Sequence, residues 1–176
     1  MRSATTSRAN FSRDRDTGDA NTADPGVRTL VAVFASPVSR SLLKFAREVG
    51  YHVTLFEPDP ARVTDVPEGF EADTALPPLD ASADVVVTDH HRPELGAVLK
   101  AALAGEPRWV GVLGNPRHPG PHVAALQGLG VADADIARVH RPVGLNIGSR
   151  TPPEIALATL AGLIADRNDR PGGFAF

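Results

Sequence analysis

The chain has 176 residues, a formal net charge of −3 and no cysteine. Its length suits one domain with a sizeable core, while its charge argues against binding of nucleic acid or of a membrane surface. The absence of cysteine excludes disulfides, thiolate catalysis and a self-supplied thiol for sulfur transfer, and the sequence shows neither a secretory signal nor an apolar run of ~20 residues, so we expect a cytoplasmic protein.

The first 26 residues are polar, of mixed charge and without periodicity, which predicts a disordered leader over 1–26. The folded part is predicted to begin with a buried strand over 28–34. A helix follows, whose apolar residues recur from Leu42 to Val49, and Gly50 ends it. A second strand is predicted over 51–56, so that strand, helix and strand together have the size of a βαβ unit.

The rest of the chain continues this alternation. Residues 60–82 are rich in proline and acidic side chains and are predicted to hold a short strand or only a loop. Further strands are predicted over 84–88, 108–113 and 137–140, and further helices over 93–103, 121–129 and 152–168. The alternation predicts a doubly wound, mostly parallel α/β sheet of Rossmann-like type, with a single domain over 27–170 and a tail over 171–176. Ligands of such sheets bind beyond the carboxyl ends of the strands.

The loop after the first strand contains no glycine. A dinucleotide-binding loop carries the pattern Gly-x-Gly-x-x-Gly at this point, whereas this chain has Ala35, Ser36 and Pro37. Glu57 ends the second strand, where an acid that binds a ribose belongs. Two interpretations stay open: a modified nucleotide site, or a Rossmann scaffold whose first loop no longer binds a cofactor.

Gly114, Asn115 and Arg117 form a glycine-containing loop after the strand over 108–113. Such a loop is also typical of an ordinary turn between a strand and a helix. A second glycine loop strengthens the functional interpretation, because both loops are predicted to lie at the carboxyl edge of the sheet.

The second loop runs from Gly144 through Gly148 to a well-marked helix start. Thr151 and Glu154 have the spacing of a capping box, which by itself also explains these two residues without any ligand. Glycine loops that lead into helix N-termini, with Arg117 and Arg150 beside them, suit a phosphate or pyrophosphate group.

Four histidines fall near the same strand ends. His90 and His91 follow the strand over 84–88, and because adjacent side chains point in different directions we expect at most one of them to face the cleft. His118 and His122 have the i, i+4 spacing of metal ligands. The surrounding prolines predict a loop there, and no acidic residue nearby completes a ligand set, so we predict no metal site.

The segment over 108–114, the Leu-Gly-Val at 129–131 and above all the stretch over 137–156 resemble the XdhC/CoxI family. Its members are accessory proteins of molybdenum hydroxylases such as xanthine dehydrogenase. The resemblance is to their C-terminal Rossmann-like domain, over about residues 28–170. This sequence differs from the family pattern in its first loop, in the loop over 114–117, at Asn146, where the family usually has Asp, and in the absence of the N-terminal XdhC/CoxI domain.

The resemblance implies a maturation factor, more a chaperone than an enzyme, that binds molybdenum cofactor, assists its sulfuration and delivers it to the hydroxylase. The implied partners are a molybdenum hydroxylase subunit, a cysteine desulfurase and a chain that supplies the absent N-terminal domain. The molybdenum cofactor or NAD(P) is expected to bind at residues beyond the strand ends: Ala35, Ser36, Glu57, Gly114, Asn115, Arg117, Gly144, Asn146, Gly148, Thr151 and Glu154.

Two other functions stay open. One is an NAD(P)-dependent oxidoreductase, which Glu57 favours and the glycine-free first loop opposes, with His90 or His91 as the acid–base group that hydride transfer needs. The other is a degenerate scaffold that binds no cofactor and only mediates assembly, for example as a homodimer. The apolar tail Phe174-Ala175-Phe176 is a candidate docking element for that role.

Overall fold

Six parallel strands form one sheet in the computed structural model, which describes residues 26–115 and 117–173. The strand order is β3-β2-β1-β4-β5-β6, and every pairing between neighbours is parallel. The strands are β1 (Thr29–Val33), β2 (His52–Phe56), β3 (Ala72–Asp73), β4 (Ala83–Val87), β5 (Trp109–Val112) and β6 (Val139–His140). The helices are α1 (Pro37–Glu48), α2 (Leu95–Ala104), α3 (Pro121–Gly128), α4 (Asp133–Ile136) and α5 (Pro152–Arg167).

The central strands are buried on both faces, as expected of a parallel sheet covered by helices. Alternate side chains of β1, such as Val31 and Val33, pack with α2, α3 and α4 on one face. Leu30 and Ala32 pack with α1 and α5 on the other face. The sheet is therefore doubly wound, and the reversal of strand order falls between β1 and β4, where such folds have their ligand crevice.

A polar network joins α5 to the sheet at its amino edge. The buried carboxylate of Asp84 accepts from Arg108 Nε at 2.6 Å and from the Tyr51 hydroxyl at 3.3 Å. Arg108 also donates from Nη1 to Asp166 at 2.6 Å. Burial, followed by the charge of Asp84, raises the pKa of Tyr51, so its hydroxyl stays a donor at neutral pH. This network lies at the opposite edge from the ligand crevice and serves stability.

The predicted fold class is confirmed, and each predicted strand is found within about two residues of its expected ends. The chain between 60 and 82 holds a 3-10 turn at Pro60–Asp65 and the short strand β3. The short helix α4 was not predicted. The leader, apart from Gly26, and the tail residues Phe174–Phe176 lie outside the described residues. None of the helices within 26–115 and 117–173 has the length and apolarity needed to cross a membrane.

Candidate functional site

A cavity of about 830 Å³ opens at the carboxyl edge of the sheet, between the loops that follow β5 and β6. We call it the loop groove; its walls are residues 113–115, Arg117 and the loop over 142–150, with contributions from α1, the end of β4 and α5. The structure brings six of the predicted site residues into this groove: Gly114, Asn115, Arg117, Gly144, Asn146 and Gly148.

The loop groove is electropositive in a chain of net negative charge. Arg117 and Arg150 are among the residues that line it, and both are exposed. None of the described residues that line it is acidic. Asn146, which also lines the groove, is uncharged. Cationic side chains in a concave site without carboxylates attract an anion, and Arg recognises phosphate oxygens with paired donors.

Arg141 holds the first wall of the groove in place. Its Nη1 donates to the carbonyl of His118 at 2.8 Å, and its Nη2 donates to the carbonyl of Asn115 at 2.9 Å. A Cβ atom on Gly114 would lie 2.6 Å from Nη2, so a larger residue there requires the guanidinium or the loop to shift. The sequence prediction missed Arg141, although a basic residue directly after the last strand of such a sheet is a usable signal.

The second wall of the groove rests on α5. Gly144 has a φ of +87°, and a Cβ atom there would lie 2.8 Å from the carbonyl of Ala158. The Leu145 N–H donates to that same carbonyl at 3.0 Å. Gly148 has a φ of +69° and open space around it, so the turn requires glycine there through its backbone conformation and not through close packing. Both glycines therefore fix the path of the loop, in addition to lining the groove.

The N-terminus of α5 carries its own carboxylate. Glu154 Oε2 accepts from the Arg150 N–H at 2.8 Å and from the Thr151 N–H at 3.0 Å. These backbone donors, the first from Arg150, hold the pKa of Glu154 below its usual range. Neither Thr151 nor Glu154 lines the groove. They fix the helix start, and the N–H groups of Arg150 and Thr151 already donate to Glu154.

The backbone amides of the loop after β1 are hydrogen-bonded to side chains of the protein itself. Ser36 caps α1: its hydroxyl accepts from the Ser39 N–H at 3.0 Å, while the Ser36 N–H donates to the Ser39 hydroxyl at 2.9 Å. The Ala35 N–H donates to Glu57 Oε2 at 2.9 Å. Three amides that a pyrophosphate would use in a dinucleotide fold are thus already satisfied. The structure does not bring Ala35, Ser36 or Glu57 into the groove.

Glu57 forms a buried ion pair with Arg92. The guanidinium reaches Oε1 at 2.8 Å and Oε2 at 3.0 Å, and the Asp59 N–H donates to Oε1 at 3.1 Å. The residue is 0% exposed. Burial by itself raises the pKa of Glu57, but the bonds from Arg92 and from the Ala35 amide outweigh it and lower the pKa. Each carboxylate oxygen has two internal donors, which leaves neither free for a ribose hydroxyl.

A second cavity, of about 520 Å³, lies between the β4–α2 loop and the start of α3. We call it the histidine pocket, after His90, His91 and His118 in its wall. Of the two adjacent histidines, only His90 lines the loop groove, as expected, whereas both line the histidine pocket, with ring centroids 4.0 Å apart. The Asp89 carboxylate accepts from the His91 N–H at 2.9 Å and turns the chain, so that the alternation of a strand no longer applies.

His122, the fourth of the histidines predicted near the strand ends, is buried at the start of α3 and lines neither cavity. Burial, and then the charge of Arg141, lower its pKa, which keeps the imidazole neutral. Across the described part of the chain, no three His, Cys, Asp or Glu side chains are grouped so that they hold a metal ion.

Comparison with known proteins adds three findings. A family model described as the XdhC Rossmann domain matches residues 30–163. The uncharacterized protein YqeB of Escherichia coli K12 is 31% identical over 158 residues, which are 82% of this chain and 28% of that protein. A solved structure described as a xanthine dehydrogenase from Bacillus halodurans superposes with a TM-score of 0.63 at 24% identity, covering 81% of this chain and 45% of the other. The likeness to the solved structure shows the fold, and the chain spans less than a third of the curated relative.

Proposed function

Since the chain belongs to the XdhC Rossmann-domain family, we propose that it is an accessory protein in the maturation of a molybdenum hydroxylase and binds an anionic cofactor in the loop groove. The structural relative, described as a xanthine dehydrogenase, supports a connection with this class of enzyme. The molybdenum cofactor or a nucleotide is the proposed ligand, because each carries phosphate.

One observation carries the proposal: two loops from separate strands place Arg117 and Arg150 in one groove whose described walls contain no carboxylate. The volume of about 830 Å³ lies within the range of roughly 300–1,000 Å³ found for small-molecule sites. The residues present therefore fit a phosphate-bearing group. In this arrangement Arg117 and Arg150 bind the anion, while Arg141 and Gly144 position the two walls.

When bound, the molybdenum cofactor supplies the reactive centre of the enzyme that receives it. The contribution of this chain is to hold the anionic end and to shield the cofactor until transfer. The chain has no cysteine, and a thiolate for sulfuration therefore has to come from a partner such as a cysteine desulfurase.

The alternative function, an NAD(P)-dependent oxidoreductase, has less support. Dinucleotide binding in this fold uses the amides after β1 and the acid after β2. Here Ala35 and Ser36 donate to internal side chains, and Glu57 is paired with Arg92. A scaffold that binds no cofactor is the other alternative, and ligand titration together with partner capture distinguishes it.

Titration calorimetry with purified molybdopterin and with inorganic pyrophosphate tests the groove. We expect both to bind, and we expect Arg117→Ala and Arg150→Ala each to weaken binding about tenfold, which corresponds to ~1.4 kcal/mol. Arg138→Ala is the matched control, because Arg138 is exposed and directly precedes β6 at the amino edge.

Affinity capture of the tagged chain from its own cells tests the partner. A molybdenum hydroxylase subunit is expected to be retained. If the hydroxylase is captured but neither molybdopterin nor pyrophosphate gives heat in the titration, the result would support the scaffold that binds no cofactor. Absence of both the heat and the hydroxylase would refute the proposed function.

A further inference from the structure

The segment that follows α5 turns back along that helix. A Schellman motif ends the helix: the Asp169 N–H donates to the Asp166 carbonyl at 3.1 Å, and the Arg170 N–H donates to the Ala165 carbonyl at 2.8 Å. Asp169 itself has a φ of +52°, the left-handed conformation that reverses the chain in this motif. The chain therefore leaves the end of α5 folded against the helix.

This returning segment reaches the second wall of the loop groove. A Cβ atom on Gly172 would lie 2.7 Å from Leu145 Cδ2, and the two next-nearest atoms also belong to the Leu145 side chain. Gly172 has a φ of +74°, so both its conformation and this close approach favour glycine. Leu145 is one of the residues that line the groove. The chain therefore arrives at residue 174 directly beside the loop over 142–150.

The surface next to Gly172 is apolar and open to solvent. Leu145 is half-buried, and Ile147 is 55% exposed. The Ile147 N–H donates to the Leu145 carbonyl at 3.0 Å, so a tight turn keeps the two residues together. Both line the loop groove, whose apolar lining continues with Val143 and Ile155. A contiguous apolar surface of this kind marks a docking site.

The apolar tail Phe174-Ala175-Phe176 is the segment of this chain that suits that surface. Phe174 follows Gly172 by two positions, which correspond to at most about 7 Å of chain. Such a short tether gives the rings a millimolar effective concentration at the groove, which a separate molecule does not have. The leader over 1–25 is polar and joins the fold at Gly26, ahead of β1 at the opposite edge of the sheet.

We propose that the rings of Phe174 and Phe176 pack on Leu145 and Ile147 of the same molecule and cover the apolar part of the loop groove. The cover regulates access, because a ligand that uses this part of the groove has to displace the rings. This regulatory consequence rests on the proposed function, whereas the packing of the tail on the loop does not.

Methyl NMR of isoleucine-labelled protein tests the packing. The chain has four isoleucines, so each δ1 methyl resonance is readily assigned: Ile136, Ile147, Ile155 and Ile164. The ring current of a phenylalanine shifts a methyl resonance in contact with it. We expect Phe174→Leu/Phe176→Leu to move the Ile147 resonance and to leave that of Ile136, which is buried on the opposite face of the sheet. The Ile147 shift is expected to be the same at low and high protein concentration.

Calorimetry with inorganic pyrophosphate tests the regulatory consequence. Phe174→Ser/Phe176→Ser is expected to raise the affinity about fivefold, as for a site that is uncovered in about one molecule in five. Phe174→Leu/Phe176→Leu is the matched control: its tail stays apolar, so the affinity is expected to stay close to that of the original chain while the ring-current shift is lost.

The outcomes separate the packing from the site that it covers. An Ile147 resonance that neither double variant moves overturns the proposal, and a shift that depends on protein concentration assigns the surface to a second copy instead. A moved resonance without any change in pyrophosphate affinity refutes the regulatory role. If pyrophosphate binds to none of the variants and no hydroxylase is captured, the proposed function fails, while the Ile147 resonance still decides whether the tail packs on the loop.

Discussion

At the scale of single residues, the Glu57 carboxylate joins three segments that are distant in sequence. It binds the amide of Ala35 after β1, the amide of Asp59 after β2 and the guanidinium of Arg92 after β4. The Arg92 guanidinium also lies 4.5 Å from the ring centre of Phe34, a buried residue with a φ of +71°. The pair of Glu57 and Arg92 thus holds the loop after β1 in the conformation in which its amides are hydrogen-bonded internally.

Removing one partner of this pair is expected to destabilise the fold strongly. Arg92→Met leaves a buried carboxylate uncompensated, which costs about 3–5 kcal/mol in the free energy of unfolding. Urea denaturation measures this loss. Arg62→Met, which breaks an exposed pair with Asp59, is the control and is expected to cost at most about 1 kcal/mol.

The double variant Glu57→Gln/Arg92→Met is expected to recover part of the stability, because no unpaired charge then stays buried, while the Gln NH2 group faces the N–H of Ala35 or Asp59. Equal losses in the Arg92 and Arg62 single variants would contradict a structural role for the buried pair.

Gly114 is the second residue whose replacement has a clear expected effect. In Gly114→Ala the new methyl group would meet the Arg141 guanidinium, and either the side chain or the loop has to move. We expect a loss of about 1–3 kcal/mol in unfolding free energy. Gly128→Ala is the matched control: no atom lies within 4 Å of the position that its new methyl group would take, and helix propensity predicts a gain of up to about 1 kcal/mol. A Gly114 variant as stable as the control would rule out the close approach of Arg141.

At the scale of elements, the sequence was sufficient to predict the longer strands and the long helices. β1 and β4 are short runs of apolar and β-branched residues, and the start of α5 carries its cap and proline in the sequence. The short elements β3 and α4 were harder, because two to four residues carry too little periodicity to be separated from a loop.

The groove was also accessible from the sequence, since parallel strands end at one edge and bring their loops together. The hydrogen-bond and ion-pair partners of the side chains, in contrast, could not be predicted from the sequence. Glu57 and Arg92 are separated by 35 positions, and nothing in either local pattern indicates that they meet. The shared face of His90 and His91 depends on a turn at Asp89, which a strand-based alternation does not describe.

The contact between α5 and the second loop is the element whose disturbance is expected to affect the ligand most. A methyl group in Gly162→Ala would lie 2.9 Å from the Gly144 Cα, so the loop over 142–150 has to move away from the helix. We expect pyrophosphate affinity to fall about three- to tenfold, or ~0.7–1.4 kcal/mol, while circular dichroism stays unchanged. Gly128→Ala serves again as the helical control. Unaltered affinity would show that the position of this loop does not matter for binding.

At the scale of the whole molecule, the buried Glu57 carboxylate predicts that the folded state becomes less stable in acid. The pKa of Glu57 is lowered in the folded state below the unfolded value of about 4.5. Its ionised form therefore contributes stability that is present above pH 4.5 and is lost as the pH falls through the folded-state pKa. Melting temperature is expected to drop as the pH falls below about 4.5 and through the lower folded-state pKa of Glu57. The Glu57→Gln/Arg92→Met variant is expected to show a shallower drop, and an identical slope would contradict the assignment.

The ends of the sheet limit how another protein can approach it. Both edge strands, β3 and β6, are only two residues long. An incoming strand would find too few free amides and carbonyls for a continuous ladder, which also protects the sheet against edge-to-edge aggregation. β-strand addition is therefore a poor route to a complex with this domain. A partner has to recognise it through side chains and loops, and a complex formed in that way can dissociate without the sheet being remodelled.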